Sequence, residues 1–231
     1  MFISRIRLDL NRLQPQELFS IVEAQSYTAH QLLWSLFPDI PKGERPFLFR
    51  QEVEQDIDSP GRFHGLPLFY IVSSVPPQGD NLITVETKPF EPKLKKGDRL
   101  AFKLRANPTV DRSVDRFTRS HRADVIMDAK KKFSTEERAS TDCKYAMEKA
   151  AADWLVRKAA ANGFECELPL EAGAYRQQTL AKKGRSPIRF SSVDYEGVLR
   201  VSDPVLFLKA LSCGIGRAKG FGCGLMLIRP A

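Results

Sequence analysis

Asp203-Pro204-Val205-Leu206-Phe207-Leu208-Lys209-Ala210-Leu211-Ser212-Cys213-Gly214-Ile215-Gly216-Arg217-Ala218-Lys219-Gly220-Phe221-Gly222-Cys223-Gly224 leads directly into the apolar run Leu225 to Ile228. Aspartate before proline reads as an N-cap with proline at the first helical position, and Val205, Leu206, Leu208 and Leu211 recur at helical spacing up to Gly214. The order is therefore helix, glycine loop, strand, with the strand predicted from Phe221 to Ile228 and closed by Pro230. A mononucleotide P-loop and a dinucleotide fingerprint both require strand, loop, helix, and the P-loop also ends in Gly-Lys-Ser/Thr, so neither applies. Five glycines in eleven residues allow a backbone or a polyanion to come close, and Arg217 and Lys219 bring charge suited to a phosphate. The plainer alternative is a helix C-cap followed by a tight turn.

The same patterning extends upstream. Arg99 to Ala106 alternates with Leu100, Phe102 and Leu104 on one face, a long helix is predicted from Lys144 to Asn162 with Gly163 after it, and strands follow at Phe164 to Leu168 and Val193 to Val201. With the Asp203 helix and the last strand, the order is βαββαβ. An earlier block repeats it. Phe2 to Leu10 sets Ile6, Leu8 and Leu10 against Arg5, Arg7 and Asp9, a helix-forming segment broken near Ser26 ends at Leu36-Phe37-Pro38, and strands are predicted at Phe47 to Val53, Leu66 to Ser74 and Leu82 to Pro89. The second helix of this block is short, around Val75 to Asp80. The fold class is α+β, with two tandem ferredoxin-like (RRM-like) βαββαβ domains at 1–93 and 94–231, divided within Glu91 to Asp98. Such sheets recur in RNA-binding domains, but the usual aromatic ribonucleoprotein signature is not visible, and fold alone assigns no function.

Thirty-six Lys and Arg against 28 Asp and Glu give a formal charge of +8 and a pI near 9.4, which favours a polyanionic partner. The distribution is more telling: between Glu171 and Asp194 no acidic residue occurs, while Arg176, Lys182, Lys183, Arg185 and Arg189 all do. Within that stretch Lys183-Gly184-Arg185-Ser186-Pro187 reads as a hairpin tip or exposed loop. A charge run can equally be a solvated surface. No apolar run approaches a membrane span and the N-terminus lacks a signal peptide's apolar block, so a cytoplasmic protein without membrane contact is expected. Cys143, Cys166, Cys213 and Cys223 form no C-x-x-C pair and accompany only three histidines, which reads as buried free thiols and no metal site.

Four phrases in order resemble the CasE-type CRISPR repeat-processing endoribonucleases of type I-E systems, within the RAMP superfamily. They are Tyr27-Thr28-Ala29-His30-Gln31-Leu32-Leu33-Trp34-Ser35-Leu36-Phe37-Pro38, Phe102-Lys103-Leu104-Arg105-Ala106-Asn107-Pro108, Tyr195-Glu196-Gly197-Val198-Leu199 and the carboxy-terminal glycine loop. The resemblance runs essentially end to end. It implies two ferredoxin-like domains that bind the stem-loop of CRISPR repeat RNA, cut once at its 3′ base without a metal or other cofactor, and stay with the product among the other protein subunits of Cascade. The charged segment 109–142 is longer than the family's usual connection.

The resemblance places catalysis on His30 and Tyr27. Three residues apart on a helix, they share a face. Histidine takes or gives a proton near neutrality, and the implied reaction is attack by the RNA's own 2′-hydroxyl, leaving a 2′,3′-cyclic phosphate and a 5′-hydroxyl. Either residue can be the acid or the base. The alternative for His30 is a packed histidine beside Trp34 and Phe37, and His64 and His121 read as loop residues. For RNA contact the expected residues are Arg176, Lys182, Lys183, Arg185 and Arg189, with Gly214, Gly216, Arg217 and Lys219 at the glycine loop. A non-cleaving scaffold of the same fold is the competing function. A phosphoesterase with paired His-x-Thr/Ser motifs is disfavoured, because His30-Gln31-Leu32, His64-Gly65-Leu66 and His121-Arg122-Ala123 all lack the hydroxyl residue.

Overall fold

The computed structural model describes residues 1–8, 27–41, 43–55, 63–80, 83–112, 121–182 and 185–231. The first block contains β1 (Phe2–Leu8), α1 (Tyr27–Ser35), β2 (Phe47–Gln55), β3 (Phe63–Ser73) and β4 (Ile83–Pro89). These strands form an antiparallel sheet in the order β2-β3-β1-β4. The last strand lies beside the first and the second is outermost, as a ferredoxin-like chain requires. Alternation sets the inner face: Ile6, Leu8, Phe47, Phe49, Phe69 and Ile71 bury against Ala29 and Leu33 of α1 and against Leu36 and Phe37 just beyond it.

No helix forms between β3 and β4 over the described residues 74–80, which corrects the short helix expected there. Pro76 and Pro77 bias the residues before them toward extended backbone. Instead the chain is tied down by Gln78, whose N–H donates to the Leu36 carbonyl at 2.8 Å. Residues 9–26, including the tail of the expected first strand and the break near Ser26, lie outside the described residues.

The second block contains β5 (Arg99–Ala106), β6 (Thr109–Arg112), β7 (His121–Asp124), α2 (Val125–Lys130), α3 (Thr141–Ala161), β8 (Phe164–Cys166), β9 (Glu171–Lys182), β10 (Arg185–Val201), α4 (Pro204–Cys213) and β11 (Met226–Pro230). Its sheet runs β11-β5-β10-β8, the same topology, with β9 added as a hairpin partner of β10. The Asp203 N-cap is present, accepting from Val205 and Leu206 N–H at 2.9 and 3.0 Å. The last strand begins at Met226, later than alternation alone suggested, because Gly222 and Gly224 hold positive φ and keep the chain turning.

Segment 109–142 is not a plain charged connection. Strands β6 and β7 pair antiparallel, and Asp124 caps α2 by accepting from Ile126 and Met127 N–H. Val125, Ile126 and Ala129 of α2 are buried, and α2 packs on α3. His121 is on β7 and His64 on β3, so both are strand residues and not loop residues. Of the free thiols, Cys143 and Cys223 are buried but Cys213 is exposed.

Two interactions join the sheets. Leu48 and Val72, on the face of the first sheet opposite Phe47 and Phe49, form an apolar cluster with Leu225, flanked by Ile3, Tyr70 and Leu227. Beside it, Asp194 of β10 bridges two arginines: Oδ1 meets Arg50 Nη2 at 3.1 Å, and the carboxylate accepts two 2.9 Å bonds from Arg105. Arg105 also donates to the Gln51 carbonyl of β2 at 2.9 Å, and Arg50 bonds Glu52. Arg50 is 3% exposed, so its charge depends on these carboxylates. Removing one member of a buried pair leaves the other uncompensated. Asp194→Ala should therefore lower unfolding free energy by on the order of 3 kcal/mol, read in urea titrations as an earlier midpoint, whereas Glu86→Ala at the exposed edge should change it by less than about 1 kcal/mol.

Candidate functional site

His30 projects from α1 into an aromatic nest. Its ring lies 6.2 Å from Trp34, 6.3 Å from Phe47 and 6.4 Å from Phe49, measured between centroids. Trp34 Nε1–H donates to His30 Nε2 at 3.1 Å, so in the neutral ring the proton sits on Nδ1. Desolvation by these neighbours, and then the positive charge of Arg45, hold its pKa below the ordinary imidazole value. The expected packing against Trp34 and the expected catalytic placement are therefore compatible, because the ring is only half buried. Tyr27 opens the same helix; its side chain lies outside the described residues.

The glycine loop reaches this histidine across nearly the full length of the chain. Its short 3-10 turn, Lys219–Phe221, packs on α1 and β2. A Cβ placed on Gly220 would lie 3.7 Å from His30 Nε2 and 3.6 Å from Arg45 Nη1. The Gly220 backbone therefore lies close to both a histidine nitrogen and a guanidinium, near enough that a methyl there would touch each. Lys219, in the same turn, donates to the Cys213 carbonyl at 2.6 Å, and desolvation followed by Arg45 lowers its pKa. Among the described residues none of His30, Arg45 and Lys219 forms an ion pair. The three basic groups thus lie near one another with no carboxylate bonded to them among the described residues.

The other glycines shape the loop. Gly214 ends α4 with φ 76° and ψ 155°, a region reserved for glycine, and a Cβ there would sit 2.9 Å from Leu48. Gly216 faces the Trp154 ring at 3.2 Å in the same sense, and Gly222 faces Phe49 at 3.3 Å. Gly214 thus packs on Leu48 of β2 and Gly216 on Trp154 of α3. Arg217 is exposed and bonded to Asp111 of β6 at 2.9 Å.

The basic stretch is a hairpin whose last register pair is Lys182 with Arg185. The side chains of those two residues, and all of Lys183, lie outside the described residues. Arg176 pairs with Ser192 and Arg189 with Thr179, so the two exposed arginines leave opposite faces of the ribbon. Of these two, Arg189 shares a groove with Arg217, a cleft of about 790 Å³ walled by the hairpin, β6, β7 and the glycine loop. Arg45 escaped the sequence reading altogether. It sits in the irregular Gly43–Pro46 approach to β2, where no periodicity or motif marks it.

Paired ferredoxin-like domains with a histidine and a glycine loop meeting at their seam define a class of protein, and comparison with known chains specifies which. The family model described as CRISPR associated protein matches residues 1–230. CRISPR system Cascade subunit CasE of Escherichia coli K12 is 32% identical over 207 residues, covering 88% of this chain and 92% of the relative. CRISPR-associated endoribonuclease Cse3 of Thermus thermophilus is 31% identical over 154 residues, 62% of this chain and 61% of its own. The crystal structure of Cas6e from Escherichia coli K-12 superposes with a TM-score of 0.64 at 25% identity, covering 100% of both chains. Cse3 bound to a 19-nucleotide RNA gives 0.70 with the same coverage at 22% identity, a likeness of fold. The chain belongs to this family of CRISPR-associated proteins and is of the CasE type.

The glycines separate into two experimental groups. Gly214→Ala should cost about 1–3 kcal/mol and lower the melting temperature, because a side chain is barred there by both conformation and Leu48. Gly220→Ala, whose new methyl would make only ordinary contacts, should stay within about 0.5 kcal/mol of the parent by the same melting assay.

Proposed function

We propose that this chain is a CRISPR repeat endoribonuclease. It binds the stem-loop of the repeat RNA, cuts at the 3′ base of the stem, and remains with the mature RNA as a Cascade subunit in the cytoplasm. The carrying observation is that His30 Nε2 and Arg45 Nη1 meet at Gly220 of the glycine loop, in a chain of the CasE family. A phosphodiester brought to this pair can present its 2′-hydroxyl to the histidine and its non-bridging oxygens to the guanidinium.

The reaction proceeds by attack of the 2′-oxygen on phosphorus. The O2′–P bond forms, the P–O5′ bond breaks, and the products are a 2′,3′-cyclic phosphate and a 5′-hydroxyl. His30 takes the 2′-hydroxyl proton: its lowered pKa favours the neutral ring, and the Nε2 electron pair, which accepts from the Trp34 indole in the free protein, takes the proton once the RNA hydroxyl displaces that donor. Arg45 stabilises the charge that builds on the phosphoryl oxygens. Tyr27, one helical turn before His30, orients the attacking hydroxyl, and the leaving O5′ oxygen takes its proton from Tyr27 or from solvent. Arg176, Lys182, Lys183, Arg185 and Arg189 follow the phosphates of the stem, and Arg217 and Lys219 hold the strand near the glycine loop, whose course Gly214 and Gly216 set.

With stem-loop repeat RNA in EDTA, the parent protein should release a product bearing a cyclic phosphate, and His30→Ala should slow cleavage by on the order of 10²- to 10⁴-fold while retaining RNA affinity in a gel-shift assay. Uncut RNA that is nevertheless tightly bound by the parent would make the chain a scaffold. The pH profile adds a second check. A base must be unprotonated, so the single-turnover rate should fall as pH drops through the His30 pKa, with a midpoint below the ordinary imidazole value. Arg45 is one cause of that depression, so Arg45→Gln should move the midpoint upward as well as reduce the plateau. An unmoved midpoint would exclude the coupling.

A further inference from the structure

The cleft beside the glycine loop has features that stem binding leaves unexplained. Its walls carry Gln177, Arg189 and Phe190 from the hairpin, Arg122 from β7, and Arg217 and Phe221 from the glycine loop. Its volume of about 790 Å³ is within the range of sites that enclose a small molecule, roughly 300–1,000 Å³. Phe190 and Phe221 stack on each other with centroids 5.1 Å apart and planes at 23°. Both rings line the cleft and both are only partly buried. An aromatic pair left open in a basic cleft is a platform for a further flat ring.

The polar groups point the same way. Asn107 lines the cleft although it is 5% exposed, and its Oδ1 has no hydrogen-bond partner. Buried amide oxygens are normally satisfied, so this acceptor is suited to a donor that arrives with a ligand. Asp111 holds Arg217 at 2.9 Å and Arg122 at 3.6 Å, so one exposed carboxylate ties together two arginines of the lining. Position fixes the rest: Phe221 directly follows Gly220, which faces His30.

We propose that this cleft is a subsite for one unpaired nucleotide of the RNA next to the cleaved bond. Its base stacks on the Phe190–Phe221 pair, an amino or imino group donates to Asn107, and Arg217 grips a flanking phosphate. A base within a duplex has both faces covered, so the site accepts only a nucleotide outside the stem. The β6–β7 ribbon, in the segment where a mere connection was expected, supplies the wall that makes the cleft. This inference rests on the endoribonuclease reading above.

The test uses the full chain with repeat RNAs carrying a 2′-deoxy nucleotide at the cut, so that they bind without being cleaved. 2-Aminopurine is placed at each unpaired position flanking the stem in turn. One position adjacent to the cut should lose fluorescence on binding, and Phe221→Leu, which keeps an apolar side chain but no aromatic face, should remove that loss. In parallel, the ratio of affinities for flanked and blunt stem-loops should fall about 5- to 100-fold in Phe221→Leu and in Asn107→Ala, with melting temperatures reported for both. Equal response at every flanking position, or an unchanged ratio in both variants, overturns the subsite while leaving the endoribonuclease reading intact. Failure of the parent protein to bind the flanked stem-loop, and to cut its all-ribose form, overturns that reading itself.

Discussion

Everything at the site depends on the contact between the two sheets, and the carboxylate of Asp194 gives that contact its direction. The apolar part of the seam, Leu48 and Val72 against Leu225, supplies a non-directional driving force, since hydrophobic burial rewards area and not orientation. Asp194 gripping Arg105 by two parallel bonds while meeting Arg50 of the other sheet tolerates little rotation. Arg105 then reaches back to the Gln51 carbonyl, and its own carbonyl accepts from Gly224 N–H at 2.7 Å. One buried network thus ties β2, β5, β10 and the end of the glycine loop together. If the sheets turned by a few degrees, Gly220 would no longer sit over His30.

The glycine loop takes its form from this arrangement. A helix that ended in any other residue would collide with Leu48 at position 214, and a side chain at 216 would press on Trp154. These positions let a backbone segment lie between two packed domains, where side chains would force them apart. Gly220 differs: a methyl there would make only ordinary contacts, with Arg45 and His30. Its closest neighbours are thus the two basic side chains and not the packed core of the domains.

How much of this was legible in the sequence follows from the range of the signals. Alternation in β1 and β5, and the Asp203-Pro204 start of α4, are local patterns set by periods of two and of 3.6 residues, and they locate elements well. The late start of β11 was hidden because Phe221, Cys223 and Leu225 look strand-like, while the backbone is governed by the intervening Gly222 and Gly224. The β6–β7 ribbon was obscured by charge, since Asp111, Arg112 and Arg122 pair with other charged groups instead of marking a solvated linker. The helix that carries His30 was legible through its motif. Arg45 was not, because its place beside His30 arises only when the approach to β2 is folded against a loop almost at the other end of the chain.

Arg45 also resolves a tension in the proposed chemistry. A cation beside a histidine makes the imidazolium harder to form, which favours the neutral base before reaction but would hinder proton uptake during it. The phosphoryl group removes that conflict. As the 2′-oxygen bonds to phosphorus, negative charge grows beside Gly220, and it attracts Arg45 and the newly protonated His30 together. In a partly dry site these attractions are stronger than in water. The repulsion present in the free protein is thus offset where the pentavalent phosphorus lies, so the pair of cations binds the reacting phosphate better than the resting one, which is the condition for catalysis.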